Sequence, residues 1–167
     1  MYERLGFIII FTMHLNTTLS KKILAWYDNS KRILPWRVSK KSPKKLYYRL
    51  LSEFMLQQTQ VATVIPYFNR FIKHIPNLEA LAKYDDKKLI KLWEGLGYYS
   101  RARNIHKTAK IVADDYAGSL PREYEELLAL SGIGPYTAAA IASIAFGLEH
   151  AVMDGNVIRT VTRFCGI

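Results

Sequence analysis

A chain of 167 residues, half of them hydrophobic and 23% charged, is long enough to bury a core as one globular unit and is not a disordered tail. Its 24 basic and 14 acidic residues leave a net charge of +10, which favours a polyanion or an acidic membrane surface as partner, although excess lysine also serves solubility alone. The single Cys165 excludes an internal disulfide, fits a reducing cytoplasm and leaves no four-cysteine metal pattern.

Residues 1–18 read as an N-terminal extension. The apolar run at 5–13 is far too short to cross a bilayer as a helix. A secretory signal is one reading, but only Arg4 precedes the run and no small-residue cleavage site follows, so an upstream extension with the true start at Met13 is preferred. Residues 19–45 hold a first helix, over 19–29, and a basic, proline-containing linker from Arg32 to Lys45 that reads as a solvated loop. A helical domain is expected over 46–153. It begins with a long amphipathic helix at 47–63 that Pro66 interrupts or restarts, with Tyr67, Phe68, Phe71 and Ile72 as core contacts beyond it. Short helices at 78–84 and 86–93 close on the glycine turn Glu94-Gly95-Leu96-Gly97. The next helix, at 100–116, turns Ile105, Ala109 and Val112 inward and Arg101, Arg103, Lys107 and Lys110 largely outward. A hairpin follows at 122–147: a helix over 122–130, a glycine turn, and a small-residue helix to Phe146. Residues 154–167 start one more helix. Strand signals are scarce, so the fold class is all-α.

The turn Leu130-Ser131-Gly132-Ile133-Gly134-Pro135 is the most informative stretch. Glycines around one aliphatic residue let the amides near Gly132 and Gly134 point outward together, which makes an anion nest, and Pro135 suits the first position of the next helix. The same residues also make a plain tight turn between packed helices. In Ser52-Glu53-Phe54-Met55-Leu56-Gln57-Gln58-Thr59-Gln60, Glu53 lies among apolar neighbours. Partial desolvation there favours the protonated carboxyl of a general acid, whereas a helical glutamate ordinarily faces solvent. Helical spacing puts Gln57 and Gln60 on roughly one face. Asp154, ahead of Gly155-Asn156-Val157, suits an N-cap, and such a cap also fixes a carboxylate's direction. The run from Gly95 to Asn104 joins a turn, paired tyrosines and arginines, which serve either packing or stacking and phosphate binding.

Taken in order, these motifs resemble the helix-hairpin-helix glycosylase superfamily of base-excision repair, and within it the adenine-specific mismatch glycosylases of the MutY type. The resemblance runs from about Leu34 to Phe164. It implies that Glu53 is the acid and base that protonates adenine at a ring nitrogen, and that Asp154 stabilises the oxocarbenium-like sugar or bonds to it transiently. Tyr136 stands where endonuclease III carries a lysine; a phenol forms no imine, so the implied reaction is hydrolysis to an abasic site without strand cleavage. Gln58 and Tyr98 are the implied wedge residues, Arg37 lines the adenine pocket, and Gln57, Gly132, Gly134 and Asn156 complete the contacts to substrate and DNA. The implied partner is double-stranded DNA holding adenine opposite 8-oxoguanine or guanine, bound by a monomer in the cytoplasm with no membrane role.

Departures from the family are also visible. The linker before Glu53 is about three residues longer than usual, and Leu46 stands where proline is common. Family members continue into helices bearing four cysteines that hold a [4Fe-4S] cluster, and then into a domain that reads 8-oxoguanine. Those ligands are absent from these residues, so no cofactor is expected in this chain, and the fold is expected to be incomplete at its C-terminus. Because the family's N-terminal helix packs on those further helices, Ile23, Leu24, Trp26 and Tyr27 are expected to expose an apolar face. A truncated remnant that binds DNA without catalysis is the alternative function.

Overall fold

A computed structural model describes residues 17–39 and 41–166, with side chains from Lys21 onward. The readings of the 5–13 run and of a start at Met13 lie outside the described residues. Among the described residues all regular structure is helical, and the chain divides into two compact units, one up to Leu34 and one from Pro35 onward.

The first unit contains helix α1, Thr17–Ser30. Its described residues from Lys21 to Ser30 are all exposed. Trp26 is 65% accessible, and Ile23, Leu24 and Tyr27 are open as well, so the helix carries the uncovered apolar face expected of it.

The second unit is built around α2, Lys45–Leu56. Leu50, Leu51, Phe54 and Met55 are fully or almost fully buried. A helix apolar on most sides becomes a central element. Against it pack α3 (Val61–His74) and α6 (Ser100–Asp115), while α4 (Leu78–Ala82) packs on α6 and α5 (Asp86–Trp93) on both α3 and α6. Edge-on aromatic pairs tie these layers together, with Tyr48 and Trp36 each 5.2 Å from Phe68 and Phe71 5.9 Å from Trp93. Asn77 caps α4 by accepting from the Ala80 amide at 2.8 Å, and Asp85 caps α5 by accepting from Lys88 at 2.9 Å. The hairpin follows as α7 (Tyr124–Ala129) and α8 (Pro135–Ala140), the latter widening into a π-helical turn over Ile141–Phe146. Helix α9, Gly155–Cys165, comes last.

The structure departs from the sequence reading in five places. The helix expected over 47–63 stops at Leu56, and a new one starts at Val61. Gln58 adopts a left-handed conformation (φ 55°) that ends α2, so Gln57 and Gln60 do not share a helical face. Pro66, by contrast, sits inside α3. Both Pro66 and Ala62, four residues earlier, are exposed, so solvent can take the carbonyl that proline leaves unbonded.

Arg101 is buried, not outward, because it serves the carbonyls where α2 ends. Lys45 belongs to α2 and not to a solvated linker: its ammonium donates to the Ala145 carbonyl at the end of the π turn. That turn replaces the plain helix expected to run to Phe146. Its last residues close through Gly147 at φ 78°, whose amide donates to Ser143 O at 3.0 Å.

Candidate active site

Glu53 lies in the third turn of α2, among the side chains that make this helix central. It is 5% exposed, and burial pushes its carboxyl above the usual carboxylate range. Arg49, one turn earlier, opposes that shift with its Nε 3.1 Å from Glu53 Oε1, but the contact is not aligned as a hydrogen bond. Desolvation is the larger effect, so the site favours the protonated acid. Arg49 is a residue that the sequence reading missed; its i,i+4 spacing from Glu53 was the available signal.

Asp154 is shifted the other way. It N-caps α9, with Oδ1 accepting from the Val157 amide at 2.8 Å and Oδ2 from Asn156 Nδ2 at 3.0 Å. The backbone hydrogen bond from Val157 is the largest influence holding its carboxyl below the usual range, so it stays an anion. Asn156 in turn accepts from Arg159 Nη2 at 2.6 Å. The expected cap is present, and Asn156 acts on the carboxylate itself.

Tyr136, in the first turn of α8, joins the two. Its phenol is half exposed and is pushed up first by burial, then by the negative charges of Glu53 and of Asp154. One hydroxyl therefore senses both carboxylates, although they are separated by a hundred residues of chain. A pocket of about 170 Å³ opens beside it, walled in part by Tyr124, Ala139, His150 and Met153. His150 stacks on Tyr124 at 4.9 Å. Neither residue stood out in the sequence, since no motif contains them.

The hairpin turn is seated on α2 and α6. Gln57 Nε2 donates to Gly132 O at 3.2 Å, and Thr108 Oγ1 to Ser131 O at 2.9 Å. Gly132 has φ 77°, and a Cβ there would lie 2.7 Å from Asn104 Cβ and 2.9 Å from the Phe54 ring. Only glycine fits this close approach. Gly134 is extended and serves as the N-cap of α8.

A second, more open cleft of about 410 Å³ lies between Gln57, Gln58, Tyr98, Ser100 and Arg101. Gln58 is exposed and Tyr98 is 60% exposed. The sequence pairing of these two is thus a spatial pairing. Arg37 is exposed, beside buried Trp36 on the segment before α2. Cys165 is exposed, and among the described residues no three His, Cys, Asp or Glu side chains gather to hold a metal ion. The residues present do not fit a four-cysteine cluster, and no step below passes through one.

A glycine hairpin clamped to the helix that buries an acid, with a capped carboxylate following it, defines a helix-hairpin-helix fold. The chain belongs to the HhH-GPD superfamily of base excision DNA repair proteins, which residues 51–167 match. It is 47% identical over 146 residues to the adenine DNA glycosylase of Buchnera aphidicola subsp. Baizongia pistaciae, covering 87% of this chain and 40% of that protein. Against the adenine DNA glycosylase of Mus musculus it is 46% identical over 152 residues, covering 88% and 30%. The chain thus spans well under half the length of these curated relatives. Among solved structures, a thermostable thymine-DNA glycosylase superposes with a TM-score of 0.79 at 28% identity, covering 90% of this chain and 68% of that one. An endonuclease III trapped covalently on DNA gives 0.67 at 25%, covering 86% and 68%.

Proposed function

We propose that these residues form the catalytic core of a monofunctional adenine DNA glycosylase, acting on adenine opposite 8-oxoguanine or guanine in duplex DNA. The observation that carries this reading is the opposite displacement of two carboxyls around one phenol: Glu53 raised by burial, Asp154 lowered by its cap. Environments that drive two acids apart assign them different roles. Protonated Glu53 gives its proton to a ring nitrogen of the extruded adenine as the bond to C1′ breaks and the electron pair leaves with the base. Anionic Asp154 stabilises the cationic sugar. Water then adds to C1′, and its proton returns to Glu53, so the enzyme is restored and the product is an abasic site.

Tyr136 offers no amine, so no imine forms and the strand is not cut. Gln58 and Tyr98 fill the gap in the duplex, Arg37 borders the adenine pocket, and the Gly132–Gly134 turn with Gln57 and Asn156 holds the backbone. The protein acts as a monomer in the cytoplasm.

A second reading, a remnant that binds DNA without catalysis, draws on one observation: no residue of α9, the helix Asp154 caps, is buried. Single-turnover incubation with an adenine:8-oxoguanine duplex, followed by alkali, separates the two. Alkali-dependent product from the wild type and none from Glu53→Gln supports the enzyme. Salt-sensitive binding without product supports the remnant.

A further inference from the structure

Gln58 and Tyr98 are non-glycine residues with left-handed backbones, φ 55° and 47°, and both line the same open cleft. L-residues rarely hold that conformation unless their surroundings impose it. The peptide preceding each one is gripped by the same side chain. Arg101 Nη1 donates to Gln57 O and, at 2.7 Å, to Met55 O. Its Nη2 donates at 3.1 Å to both Gly97 O and Leu96 O. The guanidinium is buried, with Arg101 4% exposed, and it lies 5.4 Å from the Tyr98 ring and 5.7 Å from that of Trp93. The carbonyls at the end of α2 and those of the glycine turn before α6 are far apart in sequence, yet they meet on one planar fork.

We propose that Arg101 is a positioning residue that sets Gln58 and Tyr98 as one unit, presenting both side chains to the DNA duplex from which a base is extruded. This rests on the reading of the chain as a DNA glycosylase core. Planarity is the requirement: a guanidinium serves the carbonyls of both turns at once, whereas a lysine ammonium on a flexible stem reaches one turn and releases the other. Releasing either peptide lets its strained residue relax, and both side chains lose their common bearing.

The test compares the wild type with Arg101→Lys by two readouts. Hydrogen exchange is expected to accelerate about tenfold or more at residues 57–60 or 95–98, whichever turn the lysine abandons, while α3 and α5 keep their protection. With 2-aminopurine in place of the target adenine opposite guanine, the fluorescence rise that reports extrusion is expected to fall about tenfold, with duplex affinity changed by less than about threefold. Unchanged exchange in both turns, or wild-type extrusion by the variant, overturns the proposal. If Arg101→Lys unfolds the whole chain, adding Gln58→Gly and Tyr98→Gly must recover much of the lost Tm, since glycine holds the left-handed conformation unaided; no recovery overturns it too. Absence of any fluorescence rise with the wild type counts against the adenine reading itself, and exchange alone then decides the role of Arg101.

Discussion

At the scale of single residues, the two carboxyls yield opposite expectations for stability. Glu53 binds its proton more tightly in the folded state than in the unfolded chain. Its contribution therefore favours folding at acid pH and is lost as pH rises through its raised value. Replacing Glu53 with Gln removes the cost of burying an ionisable carboxyl, so at neutral pH the variant is expected to melt higher by about 2–4 °C, or on the order of 1 kcal/mol, with the gain vanishing near pH 4. Calorimetry across that range checks it.

Asp154, with its lowered value, stabilises above its ordinary range and loses that contribution as pH falls. Asp154→Asn keeps a good cap while deleting the charge. It is expected to leave Tm within about 0.5 kcal/mol equivalent and to lower single-turnover rates by about a hundredfold or more. A large Tm loss with rates intact would mean that the side chain matters as a cap alone.

At the scale of elements, the hairpin depends on Gly132 as a contact as well as a turn. Gly132→Ala forces a methyl against Asn104 Cβ in a left-handed backbone, and is expected to cost about 2–4 kcal/mol in denaturant unfolding. Much of this architecture could be read from residue order. The helix at Asp86–Trp93 has the bounds expected of it, and Ile105, Ala109 and Val112 are buried as their spacing predicts. The burial of Glu53 and the cap made by Asp154 were legible because apolar neighbours and an Asp-Gly-Asn helix start survive in residue order. What escaped depends on partners distant in sequence. Arg101 shares a helix with solvated cations, and the carbonyls at the end of α2 and in the glycine turn before α6 draw it inward. The break at Gln58 looks helical in sequence, because no glycine or proline marks it. Pro66 misled in the opposite direction, since an exposed helix face tolerates the missing hydrogen bond.

At the scale of the whole molecule, a net charge of +10 and two units of unequal packing frame what the chain does. Duplex binding is expected to weaken roughly a hundredfold between about 50 and 200 mM salt if about four phosphates are held. Helix α1 leaves Trp26 and its neighbours open to solvent. Its amides are therefore expected to exchange far faster than those of α2, and Trp26→Ser to leave the main thermal transition unmoved. A cooperative melt that includes a protected α1 would contradict this. The division of labour between Glu53 and Asp154 is tested most directly by the pH dependence of single-turnover base removal from an adenine:8-oxoguanine duplex. A raised acid predicts alkali-revealed product whose rate holds level and then falls about tenfold per pH unit above the Glu53 value, with Glu53→Gln inactive throughout. Equal rates for wild type and Glu53→Gln, or strands cut without alkali and trapped by borohydride, would contradict it.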